Sequence, residues 1–252
     1  MDLRHGDCLQ ILKDISSNSV DLVICDLPFG CLMRGQNGAY DREDRAIDWD
    51  IHIELSEFWT EIRRIRRNDH TPCLHFCTTK YGYELIKSNE KEFRYDLVWN
   101  KERGVSFLAA NKMPMRSHEM VYVFSKAGAY YNRIDISGDF KPYVSGLGQS
   151  RQYGAERVSR AGGDGKRCVL SVIDNPTASG RGRHPTEKPV ELYKFLIQRY
   201  CPSGGTVLDP TFGSGNSGLA ARELGRKFIG IEKDETFFKK FKDKLDAPTL
   251  QR

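Results

Sequence analysis

The sequence lacks the features of membrane-spanning, secreted and repetitive proteins. No apolar run among its 252 residues approaches the length of about 18 residues that a membrane helix needs. The first residues, which include Asp2, Arg4 and Asp7, lack the apolar segment of a signal peptide. No internal repeat is present. We therefore expect neither a membrane span nor a cleaved leader, and no repeat architecture.

The seven cysteines lack the spacing of a disulfide framework or of a zinc site. An odd number of cysteines without paired spacing is typical of a reducing compartment, which predicts a cytoplasmic protein. Cys73 and Cys77 lie in an apolar run, and we interpret both as core residues. No structural zinc is expected.

Excess basic charge is absent from most of the chain and concentrated in one region. The net charge is +5, and residues 141–183 contain eight Lys and Arg against three Asp and Glu, which accounts for the whole excess. Eight glycines lie between Gly146 and Gly182, and hydrophobic periodicity is weak there. This composition is typical of a segment that binds a polyanion, and a flexible surface insertion is the alternative.

A pattern of strand, turn and helix near the end of the chain predicts a site for a nucleotide-like ligand. The run Thr206–Asp209 precedes a turn with Gly213 and Gly215, and helix-favouring residues follow from Leu219. Glycines let the backbone approach a ligand, and the helix start offers unpaired N–H groups. Glu232 follows the next apolar run, where an acid typically binds ribose hydroxyls. A glycine-rich turn without a ligand is the alternative.

A second apolar run, Val20 to Cys25, predicts a buried strand that ends at Asp26-Leu27-Pro28-Phe29. Ligands of open α/β sheets bind outside the carboxyl ends of the strands. The carboxylate, the proline and the ring should therefore face the same cleft as the glycine turn.

These two motifs resemble those of S-adenosylmethionine-dependent amino-methyltransferases. Asp26-Leu27-Pro28-Phe29 is similar to their catalytic Asp-Pro-Pro-Tyr motif, and Asp209 to Gly215 is similar to their cofactor motif with its Phe-x-Gly-x-Gly core. The order of catalytic motif, basic region and cofactor motif resembles the β class of DNA amino-methyltransferases over nearly the whole chain. Leu27 and Phe29 depart from the pattern, which has proline and usually tyrosine there.

The resemblance implies a Rossmann-like α/β fold with a mostly parallel, doubly wound sheet that contains one antiparallel strand. We predict a single methyltransferase domain over residues 1–252 in permuted motif order. Its catalytic part would span residues 1–124, an inserted target-recognition region about 125–183, and the cofactor-binding part 184–252.

The resemblance assigns catalysis to Asp26, Pro28 and Phe29. The Asp26 carboxylate and the Pro28 carbonyl would accept the N–H groups of a target amine, and Phe29 would stack on the extruded base. S-adenosylmethionine is the implied cofactor and S-adenosylhomocysteine the product, and no metal is required. The implied cofactor-binding residues are Asp7, Cys8, Asp26, His184, Thr186, Lys188, Asp209, Phe212, Gly213, Ser214, Gly215, Asn216, Glu232 and Lys233.

Double-stranded DNA is the predicted partner. The basic, aromatic and strand-entry positions that we assign to DNA binding are Arg34, Tyr40, Arg116, His118, Arg151, Arg157, Arg160, Lys166, Arg167, Arg181 and Arg183. Arg116, His118 and Glu119 are candidates to line the pocket, with a structural role as the alternative. The resemblance also allows a homodimer and a paired restriction endonuclease.

Local patterns predict three further features. Asp7 should cap the following helix, and in the resembling class this turn also borders the cofactor's adenine ring. Thr186 is the predicted N-cap of a helix over Val190 to Tyr200, with Pro189 in its first turn. The loop from Gly30 to Asp50 is interpreted as a lid over a base pocket or as a solvated loop.

Aspartate rather than serine at the first catalytic position favours adenine N6 over cytosine N4. We therefore predict a site-specific DNA methyltransferase that flips an adenine out of the duplex and methylates its N6 amino group. The alternatives are a cytosine-N4 enzyme, an RNA or protein-glutamine methyltransferase, a NAD-dependent oxidoreductase, and a nucleic-acid-binding protein with an inactive methyltransferase fold.

Overall fold

The structure is a computed structural model that describes residues 1–28, 53–105, 107, 110–137, 166–174 and 187–246. The chain divides into two compact units, which are described separately. The larger unit combines Met1–Asn132 with Ser171–Arg252, and the smaller one is Arg133–Leu170. No helix in the described part is both long and apolar enough to cross a membrane.

Strands and helices alternate through the first half of the larger unit. Their bounds are β1 Asp2–His5, α1 Cys8–Leu12, β2 Leu22–Cys25, α2 Leu55–Ile65, β3 Cys73–Cys77, α3 Thr79–Ser88, β4 Phe93–Val105 and β5 Arg116–Phe124. The smaller unit contains β6 Ile136–Ser137 and β7 Lys166–Arg167, which pair antiparallel.

The remaining elements complete the larger unit. They are β8 Val172–Asp174, α4 Val190–Tyr200, β9 Thr206–Asp209, α5 Asn216–Glu223, β10 Lys227–Glu232 and α6 Glu235–Asp246. The short strand β8 pairs with β4, so this part of the predicted target-recognition region belongs to the larger unit. The assignment of target recognition to residues 125–183 stays a prediction.

Eight strands form one mixed sheet in the order β1-β10-β9-β2-β3-β5-β4-β8. Every neighbouring pair is parallel except those of β5, which runs antiparallel to both β3 and β4. The predicted Rossmann-like fold with one antiparallel strand is confirmed. Because β2 and β9 are parallel neighbours, the residues that follow them leave the same edge of the sheet.

The central strands β2 and β9 are buried on both faces of the sheet, which explains their continuous apolar runs. Leu22 and Ile24 pack on one face in a core cluster with residues of α4, α5 and α6. Val23 and Cys25 pack on the other face with residues of α1, α2 and α3. Cys73 and Cys77 are fully buried, as predicted.

Helices α2 and α4 are capped differently at their starts. Helix α2 begins at Leu55 because the Glu54 carboxylate accepts a hydrogen bond from the Ser56 N–H, at 3.1 Å. Helix α4 spans the predicted Val190–Tyr200, but its N-cap is Pro189. The predicted N-cap at Thr186 is wrong for this reason, and that residue lies outside the described residues.

Candidate active site

The two sequence motifs meet at the carboxyl ends of β2 and β9. The Thr211 Oγ1 donates a hydrogen bond to the backbone carbonyl of Asp26 at 3.1 Å, and the Thr211 N–H donates to Asp209 Oδ1 at 3.0 Å. One residue of the glycine-rich turn therefore contacts both aspartates. The strand order brings both motifs to the same edge of the sheet, as predicted.

Asp26 belongs to a cluster of four charges that come from four parts of the chain. Lys188 Nζ, which precedes α4, pairs with Asp26 Oδ2 and lies 3.5 Å from Glu119 Oε2 on β5. Lys101 Nζ on β4 pairs with Glu119 Oε1. Two carboxylates and two ammonium groups balance in charge, as largely buried ions require.

Burial and ion pairing act in opposite directions on these groups. Burial raises the pKa of the Asp26 carboxyl, and Lys188 offsets part of that rise. Burial opposes the charge of Lys188, but Asp26 and Glu119 outweigh it and raise the pKa of the amine. Burial works against the Glu119 charge too, yet Lys188 and Lys101 lower the pKa of that carboxyl. Lys188 is thus held as a cation, and its Nζ lies 4.6 Å from the centre of the Phe76 ring.

One oxygen of Asp26 has no hydrogen-bond partner among the described residues. Oδ2 pairs with Lys188, whereas Oδ1 is buried and unpaired. A buried acceptor without a donor costs about 1–3 kcal/mol, so such an atom is expected where a ligand supplies the donor. The side chain as a whole keeps 26% exposure, although Oδ1 itself is buried.

The glycines of the turn serve two different purposes. Gly213 has a φ of +51°, and an added Cβ would meet nothing within 4 Å, so its backbone borders open space. Gly215 has a φ of +78°, and an added Cβ would lie 2.0 Å from the Phe241 ring. Gly213 therefore fits close approach to a ligand, while Gly215 is required by packing against α6.

Glu232 holds the turn from the end of β10. Its Oε2 accepts a hydrogen bond from the Gly213 N–H at 2.7 Å, and its Oε1 accepts from the Asp234 N–H at 2.8 Å. Each carboxylate oxygen can accept a second donor, so these bonds leave capacity for a hydroxyl pair. Glu232 thus lies beside the glycine turn, and its contact with a ribose stays a prediction.

Two predicted cofactor residues lie behind the turn and hold it in place. Ser217 Oγ donates to Asp209 Oδ2 at 2.6 Å, and Asp209 is only 2% exposed. Asn216 Nδ2 donates to Glu187 Oε1 at 2.7 Å and to the Lys188 carbonyl at 2.8 Å. The start of α5 is thereby tied to the segment that carries Lys188.

The other predicted cofactor-binding residues that the structure describes lie in the core, in the glycine-rich turn or close to the end of β10. Phe212 is 4% exposed and its ring centre lies 5.1 Å from that of Phe241, so it packs in the core. Asp7 caps α1 as predicted, with Oδ1 accepting from the Leu9 N–H at 3.0 Å. Its Oδ2 lies 3.5 Å from Lys233 Nζ. Cys8 is buried and Ser214 is half-buried.

The predicted DNA-binding residues are only partly described. Arg116 is half-buried at the start of β5, and His118 on the same strand is exposed. Lys166 and Arg167 are exposed on β7. The DNA-binding candidates outside the described residues are Arg34, Tyr40, Arg151, Arg157, Arg160, Arg181 and Arg183. The catalytic candidate Phe29 and the cofactor candidates His184 and Thr186 also lie outside them. The predicted lid from Gly30 to Asp50 also falls outside them.

Lys101 and Thr211 belong to the site, although neither was assigned to it from the sequence. Glu119 entered only as a pocket-lining candidate, whereas the structure places it between two lysines. Glu119 lies opposite Trp99 in the β4–β5 register, so its contact with Lys101 is diagonal across the two strands. The sequence alone does not give this register.

A cluster behind Asp26 has residue types that can bind a metal ion. Cys25, Cys73 and His75 are buried, and it is the one such group found in the described part of the chain. His75 Nδ1 lies 3.2 Å from Cys25 Sγ, and Nε2 lies 3.3 Å from Cys73 Sγ. Since the thiols contact opposite ring nitrogens, a hydrogen-bonded chain explains the arrangement.

Comparison with known proteins identifies the family. The model of the N6/N4 DNA methylase family matches residues 20–243. The chain is 41% identical to the type II methyltransferase M2.DpnII of Streptococcus pneumoniae, over 98% of this chain and 90% of that protein. It is 27% identical to the DNA adenine methyltransferase YhdJ of Escherichia coli K12, over 96% and 82% of the two chains.

A solved structure shows the same fold. The complex of M1.HpyAVI with S-adenosylmethionine superimposes with a TM-score of 0.60 at 20% identity, over 98% of this chain and 99% of the other. S-adenosylmethionine is the cofactor, and the open backbone at Gly213 with the acid Glu232 beside it fits such a ligand. The chain belongs to the family of S-adenosylmethionine-dependent DNA amino-methyltransferases of the β class.

Proposed function

We propose that this protein methylates the N6 amino group of adenine in double-stranded DNA. The observation that carries the proposal is the unpaired, buried Oδ1 of Asp26, held next to the glycine-rich turn through Thr211. An acceptor in that position suits an exocyclic amine, which has two N–H groups to donate. The family establishes methylation of a DNA amino group, and the choice of adenine is the finer step.

The chemistry follows from the properties of the amine. Conjugation with the ring spreads the nitrogen lone pair, so the amine is a weak nucleophile. Asp26 Oδ1 and the Pro28 carbonyl would each accept one N–H, which localises the lone pair on nitrogen. The carboxylate would also stabilise the positive charge that develops there, in a site where burial strengthens electrostatics. Phe29 would stack on the flipped base.

S-adenosylmethionine supplies an electrophilic methyl group when it is bound. The residues that would hold it are at the turn: the Gly213 backbone, the Glu232 carboxylate toward the ribose, and Asp7 at the mouth of the turn. His184, Thr186 and Lys188 are proposed at the methionine end. Asp209, Asn216, Phe212 and Gly215 would support these contacts from behind. Holding both reactants in register provides much of the rate.

Two arguments support adenine over cytosine. Asp26 occupies a position where serine is more usual in cytosine-N4 enzymes, and the similar protein YhdJ is named a DNA adenine methyltransferase. Cytosine N4 is the second candidate, since the same family covers both amines. Arg116, His118 and the basic residues between 141 and 183 are proposed to contact the DNA. A homodimer and a paired endonuclease stay predictions.

Nucleoside mass spectrometry of DNA incubated with the protein and S-adenosylmethionine tests the proposal. We expect N6-methyladenine from the unchanged protein and none from Asp26→Ala. Asp96→Asn is the matched control, because Asp96 is an exposed carboxylate on β4. N4-methylcytosine as the product would replace adenine by cytosine, and label on RNA or protein alone would contradict DNA as the substrate.

A further inference from the structure

We propose that Glu119 and Lys101 are positioning residues that control Asp26 through Lys188. The inference rests on the proposed role of Asp26 as acceptor of the target amine. Neither residue touches the reacting atoms in this arrangement. Their effect passes through a single ammonium group, Lys188 Nζ, which contacts the carboxylates of Asp26 and Glu119.

The contacts form a chain of alternating charge. Lys101 pairs with Glu119 Oε1, the other oxygen of Glu119 lies 3.5 Å from Lys188, and Lys188 pairs with Asp26 Oδ2. Lys188 is 3% exposed in its side chain, and Lys101 and Glu119 are 11% and 17% exposed. Solvent therefore screens these charges weakly, so each can be felt at Asp26.

This chain of charges predicts opposite effects for the removal of Glu119 and of Lys101. Removal of the Glu119 charge leaves Asp26 as the one acidic partner of Lys188 among the described residues, and it removes a repelling anion. Removal of the Lys101 charge leaves Glu119 dependent on Lys188 and draws the ammonium group away from Asp26. The first change favours the ionised form of Asp26, and the second disfavours it.

Other ionisable groups also surround Asp26 and are unchanged by these substitutions. They come from β2, β3, α3, α4 and β9, and they are Cys25, Cys77, Tyr81, Tyr193 and Asp209. In the folded protein burial raises the pKa of each, so the four thiol and phenol groups stay neutral over the working range. Asp209 is the same in all variants. A difference in the pKa of Asp26 between variants therefore reports on the charges of Lys101 and Glu119.

The pH dependence of methyl transfer tests the proposal. Activity requires ionised Asp26, so kcat/KM for DNA falls on the acid side as pH drops through the pKa of that carboxyl. We expect Glu119→Gln to move this acid limb to lower pH, and Lys101→Met to move it to higher pH, each by about half to one unit. The double variant should lie near the unchanged protein, since its charges balance again.

An ion pair between α4 and α5 provides the matched control. Lys194 on α4 pairs with Glu223 on α5 at 2.5 Å, and both side chains are more exposed than those of Lys101, Glu119 and Lys188. Glu223→Gln and Lys194→Met should leave the acid limb in place. Denaturation midpoints of all variants, measured in parallel, report on folding separately.

The outcomes separate this inference from the proposed function. If Asp26→Ala retains methyl transfer, the proposed function fails. If Asp26→Ala is inactive but Glu119→Gln and Lys101→Met move the limb in the same direction, or leave it unmoved, the positioning role is overturned. A lower rate without a shifted limb would show that the two residues only stabilise the fold.

Discussion

Neighbouring strands β2 and β9 each lead into an aspartate at the same edge of the sheet, yet the two carboxylates have different partners. Both oxygens of Asp209 accept hydrogen bonds from neutral donors, Thr211 N–H and Ser217 Oγ. Asp26 pairs with a cation through one oxygen, and its other oxygen has no partner in the part of the chain that the structure describes. The same position in the fold therefore gives the two carboxylates different surroundings. Each oxygen of Asp209 already has a donor, whereas Asp26 Oδ1 has none among the described residues.

Replacement of each aspartate by asparagine gives the largest expected contrast. In Asp26→Asn an amide replaces the acceptor and leaves the charge of Lys188 unbalanced, so we expect methyl transfer to fall about 10²- to 10³-fold. In Asp209→Asn the amide oxygen can still accept from Thr211, so activity should stay within about tenfold. Single-turnover transfer of labelled methyl to DNA measures both. Equal losses would contradict the distinction between the two carboxylates.

The pH dependence of the free energy of unfolding should come mainly from Asp209, whose carboxylate has no cationic partner among the described residues. Burial raises the pKa of Asp209 to about 7, from an ordinary value of 3.8. The folded state then binds a proton that the unfolded state releases, so the free energy of unfolding falls as pH rises from about 4 to about 7. At about 1.4 kcal/mol for each unit, the loss is on the order of 4 kcal/mol.

Urea denaturation across that pH range checks this sign. Asp209→Asn cannot ionise, so its free energy of unfolding should vary less between pH 4 and pH 7 than that of the unchanged protein. The difference between the two curves isolates Asp209 from Asp26 and Glu232, whose pKa values burial also raises. If the free energy of unfolding of Asp209→Asn fell between pH 4 and pH 7 as much as that of the unchanged protein, Asp209 would not be the source of the pH dependence.

Loss of one hydrogen-bond donor to Asp209 should lower the free energy of unfolding without a comparable loss of methyl transfer. Ser217→Ala removes the hydroxyl that donates to Asp209 Oδ2, which leaves a buried acceptor unpaired at a cost of about 1–3 kcal/mol. Chemical denaturation measures this loss. Ser19→Ala is the control, because the Ser19 hydroxyl donates to the Ser16 carbonyl in an exposed turn. A cost at Ser217 no larger than at Ser19 would show that Asp209 does not depend on that donor.

The sequence predicts the scaffold of this site better than its electrostatics. Buried runs such as Val20 to Cys25 identify strands, and the residues after Cys25 and Asp209 mark the ligand edge, because side-chain burial and turn chemistry are local properties. Lys188 lies 162 residues from Asp26 along the chain, and its pairing depends on where α4 docks. The reason for Gly215 likewise depends on Phe241 in α6. Contacts of this kind follow from packing, which local patterns do not encode.

The smallest effect is expected at the residue that links the two aspartates. Thr211→Val keeps the shape and the N–H that donates to Asp209 but removes the Oγ1 that donates to the Asp26 carbonyl. The free energy of unfolding should fall by about 1 kcal/mol, as for one hydrogen bond. Methyl transfer should fall only several-fold, because the Asp26 side chain keeps its partner Lys188. Thr211→Ser retains the hydroxyl and should behave as the unchanged protein in both measurements. If Thr211→Val lost as much activity as Asp26→Asn, backbone placement rather than the carboxylate's free oxygen would distinguish the two strand ends.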